Sequence, residues 1–302
     1  MASVLPSGPT NRPTTKIRRK ICHAAALVLT LAAMTSPGRD PLGLPLGPKE
    51  PVCGFTKDFH YLEATQVSNG LSVQMAVVGS ARLNEPAVLR FTVVQKPENF
   101  AVNKLQVEHE KLMHVIGVRD DLSEFFHIHP TQVAPGIWEV PFTFTNGGAY
   151  KLWTDVRYQD SSYAFSHPLL SVPGIIAVPA TNADQPDYEV RSGYQITFKH
   201  TSPLIAGRNA NLEFLIRDAA GREIETENFL GAPMHLVLVK DDLSVYRHAH
   251  PEHQEPPQPT ISFTQNLPQA GSYKLFAQFR PKGTSLKADE AILAEFRVEV
   301  MK

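Results

Sequence analysis

The chain has 302 residues, 42% hydrophobic and 20% charged, a composition that suits a globular protein of two domains. Its formal net charge of −1 leaves no basic excess of the kind that binds a nucleic-acid backbone. Twenty-five prolines predict short elements and many turns.

Basic charge gathers at the start, in Arg12, Lys16, Arg18, Arg19 and Lys20, with no acid before Asp40. The apolar run Ile21–Met34 follows. It is shorter than the roughly 20 residues a membrane-spanning helix needs and suits the core of a signal peptide, so residues 1–38 are assigned to export. Export predicts a periplasmic or extracellular protein whose mature chain is not inserted in a membrane. Cys22 lies inside this signal and Cys53 would be alone in the mature chain, which excludes an internal disulfide. Residues 39–58, rich in Pro and Gly, read as a disordered leader.

Short β-rich runs begin near Leu62. Leu71–Gly79 alternates, Ala87–Gln95 is β-branched and aromatic, and Met113–Val118 is apolar on both faces, as a central strand is. Asp120-Asp121-Leu122-Ser123 is turn chemistry, Phe125–His129 is a strand closed by Pro130, and Ile137–Thr143 and Ala149–Val156 continue the series. Pro179 and Pro186 bracket a linker, 179–187. Beyond it, Tyr194–His200, Asn211–Arg217, Met234–Lys240, Val245–His250, Thr260–Phe263, Tyr273–Phe279 and Ile292–Val300 read as strands. Six or seven short strands per roughly 110 residues predict an all-β fold of two tandem immunoglobulin-like β-sandwich domains, 59–178 and 188–302.

The two domains share a repeated stretch. Met113-His114 and His127-x-His129-Pro130 recur as Met234-His235 and His248-x-His250-Pro251, around a common Asp-Asp-Leu-Ser turn, at a constant offset of 121 residues. Pairing Val118 with Phe125 across the turn puts Ile116 opposite His127 and His114 opposite His129. The three histidines then share one side of the sheet, with facing Cβ atoms about 4.5–5.5 Å apart. His235, His248 and His250 repeat this. A bulge that shifts the register by one residue brings Met113 and Met234 to the histidine side instead. Three imidazoles suit Cu(II) or Zn(II), and imidazole with thioether favours Cu(I). The candidate metal ligands are therefore Met113, His114, His127, His129, Met234, His235, His248 and His250, with copper first and zinc second. The same histidines can also serve as a hydrogen-bonded structural cluster.

Other candidates have plainer readings. Asp155 could complete a site, in which case the two sites differ, because its counterpart in the second repeat, Gln278, is a poor metal ligand; the plainer reading is a solvated carboxylate at a strand end. His109, Glu110 and His253 read as surface residues, and His60, His167 and His200 have no repeated partner. Asp120-Asp121 and Asp241-Asp242 are explained by turn formation without a calcium ion.

The pattern Met113-His114, Asp120-Asp121-Leu122-Ser123, His127-x-His129-Pro130 and Gly148-x-Tyr150-Lys151-Leu152-Trp153, repeated in the second domain, resembles exported bacterial proteins of the YtkA-like group. That resemblance spans about residues 60 to 302 and implies the location and fold rather than an activity. More distantly the chain resembles the CopC-like copper carriers. Those usually bind copper through an N-terminal His, which nothing here matches, so the copper assignment rests on ligand chemistry and location. The function expected is an exported, non-catalytic metal-binding protein. The alternative is a structural or protein-interaction module in which the histidines are structural. Three histidines with an open position are also a catalytic zinc pattern. No repeated general base, nucleophile motif or phosphate loop accompanies them, so an enzyme is not expected.

Overall fold

The computed structural model describes residues 59–63, 70–174, 188–251 and 259–302, all within one compact unit, Pro51–Lys302. The stretches expected to form a signal peptide (1–38), a leader (39–58) and a linker (179–187), together with both cysteines and His253, lie outside the described residues.

The first domain contains β1 (Phe59–Glu63), β2 (Leu71–Val78), β3 (Pro86–Gln95), β4 (Phe100–Ala101), β5 (Met113–Arg119), β6 (Phe125–Ile128), β7 (Thr131–Ala134), β8 (Ile137–Thr143), β9 (Gly148–Tyr158), β10 (Ser161–Ser166) and β11 (Leu170–Val172). One sheet runs β1-β10-β9-β5-β6 with β11 beside β9, and the other runs β2-β3-β8-β7 with β4 beside β3. The second domain contains β12 (Tyr188–Arg191), β13 (Tyr194–His200), β14 (Leu204–Ile205), β15 (Asn209–Arg217), β16 (Thr226–Glu227), β17 (Met234–Lys240), β18 (Tyr246–Ala249), β19 (Thr260–Asn266), β20 (Gly271–Pro281) and β21 (Ile292–Met301). Its sheets run β14-β21-β20-β17-β18, with β16 beside β20, and β12-β13-β15-β19. Each domain is thus a two-sheet sandwich, as expected. Sequence reasoning missed β10, because Ser161–Ser166 is almost wholly buried and shows no alternation.

Alternation builds each core. On β3, Ala87, Leu89, Phe91 and Val93 point inward, and on β15 so do Ala210, Leu212, Phe214 and Ile216. In the first domain Leu89, Phe91 and Val93 meet Met113, Val115, Leu152 and Tyr163 from the facing sheet, and in the second the β15 residues meet Met234, Leu236, Leu275 and Phe296. Both sandwiches carry a tyrosine corner of the immunoglobulin type. Tyr150 donates its hydroxyl to Asn146 O at 2.9 Å, and Tyr273 donates to Gln269 O at 2.8 Å. Gly117 is required by packing, because a Cβ there would lie 2.0 Å from the Phe126 ring across the strand pair.

β5 and β17 are buried on both faces. The inward face fills the sandwich core. The outward face forms a third apolar cluster shared by the two domains: Ile116, Val118, Leu122 and Trp153 from the first, and Val237, Val239, Tyr246 and Phe276 from the second. The two sandwiches therefore pack through the outer faces of the sheets that carry the repeated hairpins. The contacts are reciprocal. Phe125 stacks on Phe276 at 4.7 Å, and their repeat counterparts, Tyr246 and Trp153, stack at 4.6 Å.

Candidate metal centre

The hairpins form as their turns dictate. Asp121 Oδ1 accepts Ser123 N at 3.0 Å and Asp242 Oδ1 accepts Ser244 N at 3.0 Å, with Leu122 and Leu243 at φ 59 and 62. The aspartates are turn formers, as expected. The register pairs Val118 with Phe125 and Ile116 with His127, and in the second repeat Val239 with Tyr246 and Val237 with His248. This is the unbulged register, so the histidines occupy the outward, interdomain face. Met113 and Met234 point the other way, fully buried in the two sandwich cores. The methionines are therefore corrected out of the ligand set, because period-two alternation fixes them opposite His114 and His235.

In the first triad His114 Nδ1 lies 3.0 Å from His127 Nε2, and His129 Nε2 lies 3.3 Å from the same atom. In the second, His235 Nδ1 lies 3.2 Å from His248 Nε2 and 3.0 Å from His250 Nε2. Nitrogens bound at about 2.0–2.1 Å in a tetrahedral shell sit about 3.3–3.4 Å apart, close to these spacings. Ligand nitrogens of His114, His127 and His129 all lie within 4.8 Å of one another, and so do those of His127, His235 and His248. His127 belongs to both groups, so the two triads adjoin.

The outer nitrogens set the tautomers. His114 Nε2 donates to Glu108 O at 2.8 Å, and His127 Nδ1 donates to Gln278 Oε1 at 2.9 Å. His235 Nε2 donates to Phe229 O at 2.8 Å, and His248 Nδ1 donates to Asp155 Oδ2 at 2.9 Å. The two backbone carbonyls come from matching tight turns, where His109-Glu110 and Leu230-Gly231 all have positive φ. With its outer nitrogen protonated, a neutral imidazole turns a bare lone pair inward. Burial favours the neutral ring at five of these positions. It lowers His114 to about 4 and His129 to about 3, and it holds His127, His235 and His250 well below the ordinary value. His114 Nδ1 and His127 Nε2 thus face each other at 3.0 Å as two lone pairs, a contact with no hydrogen to bridge it.

Two readings of single residues are corrected. Asp155 is not solvated. It is 4% exposed and accepts from His248 and, at 2.7 Å, from Tyr246 Oη. It is drawn in because the outer face of β9, which would meet water in an isolated sandwich, is covered by the second domain. His109 is half-buried, its ring stacked on His250 at 3.3 Å between centroids, and burial lowers its pKa to about 3. Glu110 is exposed as expected. Glu108 was missed: its carboxyl accepts from Ser162 Oγ at 2.7 Å, and burial raises its pKa. The available signal was Met113–Val118, apolar on both faces, which implies a second layer over the histidines. His167 packs elsewhere in the first domain, 2.7 Å from Thr154 Oγ1 and against Phe91.

Residues 65–171 and 188–300 each match the family described as a domain of unknown function, DUF8832, and the chain belongs to that family. The two matched stretches fall on the two sandwiches. No curated protein matches. The YtkA-like and CopC-like resemblances find no counterpart in these matches. Similar solved structures include invasin, a bacterial integrin-binding protein, at 12% identity and TM-score 0.22, over 76% of this chain and 39% of that one. They also include Escherichia coli alpha-2-macroglobulin activated by porcine elastase, at 11% identity and TM-score 0.25, over 78% and 22%. A third is a putative membrane anchored protein from Corynebacterium diphtheriae, at 10% identity and TM-score 0.23, over 78% and 59%. The chain spans less than two thirds of each of these proteins, and likenesses this low carry no inference about function. No helix among the described residues is long and apolar enough to cross a membrane.

Proposed function

We propose that the protein is an exported, non-catalytic metal-binding protein that holds copper, with zinc second, through His114, His127 and His129 in one repeat and His235, His248 and His250 in the other. One observation carries the reading: neutral His114 and His127 turn lone pairs toward each other at 3.0 Å, an arrangement that a cation between them converts from repulsion into bonding. An all-imidazole donor set suits Cu(II) and Zn(II), and among divalent ions Cu(II) binds such nitrogen sites most tightly. The repeats share no acidic residue placed as a general base, since Asp155 is matched by Gln278, so the reading includes none. Periplasmic or extracellular placement rests on the basic, then apolar N-terminal pattern.

The test is a titration of the full chain, free of any affinity tag, with Cu(II), with Cu(I) under reductant and with Zn(II), followed by native mass spectrometry. Two bound ions, lost when His129 and His250 are replaced together, support the reading. Binding no tighter than micromolar for all three sinks it. One observation favours a second reading, a structural tie between domains: four of the outer nitrogens bond to backbone or side chains, two of them across the domain interface. On that reading, replacing both His127 and His129 with Gln lowers the melting temperature of the metal-free protein.

A further inference from the structure

The repeats differ where they cross. His127 of the first repeat is held by Gln278 of the second, while His248 of the second is held by Asp155 of the first. Gln278 and Asp155 are counterparts on equivalent strands, one neutral and one a carboxylate. Each also sits beside the other triad's first histidine in its own sheet, Asp155 opposite His114 and Gln278 opposite His235. Asp155 Oδ2 accepts two hydrogen bonds, and its Oδ1 is buried with no hydrogen-bond partner among the described residues. The Asp155 carboxyl therefore reaches His248 from the opposite domain through Oδ2 and keeps Oδ1 free to accept a further hydrogen bond. The His127 ring centre lies 5.2 Å from that of His248 and 5.6 Å from that of His235. Ions about 2 Å from their ligand nitrogens would therefore be separated by roughly a nanometre or less.

Resting on the metal-binding reading, we propose that the two triads form one dinuclear centre for divalent transition ions at the domain interface, in which His235, His248 and His250 load first because Asp155 holds His248 from the opposite domain. The physical cause is the carboxylate–histidine–metal arrangement. A carboxylate on the far nitrogen fixes the ring and raises its basicity, and loss of such a partner typically costs about 10–100-fold in affinity. Gln278 fixes the His127 ring but adds no charge. The first ion in turn repels a second one close by, which widens the gap between the two binding steps. Asp155 is a positioning residue here, acting through His248.

The experiment is a competition titration of the untagged full chain with Zn(II), and with Cu(II) monitored by electron paramagnetic resonance, on wild type, Asp155→Asn and Gln278→Glu. Wild type is expected to bind in two steps about 10–100-fold apart. Asp155→Asn weakens the tight step and closes the gap, while Gln278→Glu tightens the weak step and closes it from the other side. Fully loaded Cu(II) protein should lose signal intensity relative to two isolated ions, because neighbouring spins couple. Equal steps in wild type overturn the proposal, as does a gap unchanged in both variants or the spectrum of two independent ions; in each case metal binding itself stands. Absence of any bound metal overturns both the proposal and the reading beneath it. A purely structural Asp155 would lower the melting temperature of the metal-free protein in Asp155→Asn and leave the ratio of the two steps alone.

Discussion

Trp153 of the first repeat lies flat on Tyr246 of the second, ring centres 4.6 Å apart and planes 7° from parallel. Tyr246 in turn donates to Asp155, so the apolar pad and the histidine cluster are one continuous surface. Trp153→Ala is expected to cost about 3–5 kcal/mol in urea unfolding, the usual penalty for deleting a buried aromatic. It should also weaken metal binding at His248 by loosening the Tyr246–Asp155 contact. A loss of stability with both binding steps intact would show that the pad and the metal centre are independent.

The inward lone pairs predict an unusual response to mutation. His127→Gln removes one side of a repulsive contact, so the metal-free protein should lose no more than about 1 kcal/mol, less than a typical buried polar deletion costs. The rise in melting temperature on adding Zn(II) should fall, since a ligand at 100 times its dissociation constant stabilises by about 2.7 kcal/mol. Calorimetry with and without metal separates the two effects.

Acid should destabilise the metal-free protein. His114 is lowered to about 4, and His109, His129 and His167 to about 3, all by burial, from an ordinary value of 6.5. Between those values and about 6.5 the unfolded chain binds more protons than the folded one, so stability rises with pH across that window. It is fully present above about pH 6.5 and is lost as pH falls toward 4, at up to about 1.4 kcal/mol per pH unit for each histidine that stays neutral. The urea midpoint at pH 5 should lie clearly below that at pH 8. Equal midpoints would mean that these rings titrate normally.

Met113→Leu and Met234→Leu test the register. Both side chains fill sandwich cores, so each change should cost less than about 1.5 kcal/mol and leave Cu(I), Cu(II) and Zn(II) affinities as they are. A selective loss of Cu(I) binding would place a thioether in the centre and contradict the pairing of Ile116 with His127.

Tyr273→Phe provides a control remote from the histidines. It removes the hydroxyl that donates to Gln269 O and should cost about 0.5–1.5 kcal/mol with no change in metal titration.

Read alone, the sequence determined what local chemistry controls. The period-two alternation of Leu71–Val78, the Asp-Asp-Leu-Ser turns and the doubled His-x-His-Pro strands specified two β-sandwiches and put three histidines on one side of each hairpin. Turn geometry and side-chain alternation are short-range, so the register of Ile116 opposite His127 was legible as one of two options. Only the tertiary structure decided which residues surround those histidines. Met113–Val118 on β5 read as apolar on both faces, but Asp155 on β9 read as solvated, and packing against β17, β18 and β20 turned the outward faces of both strands into an interior. That burial made Asp155 the partner of His248, gave Gln278 to His127, laid His109 on His250 and brought the two histidine triads together. These contacts link positions 93 to 151 residues apart, such as Asp155 and His248 or His127 and Gln278, and no local pattern encodes such a pairing.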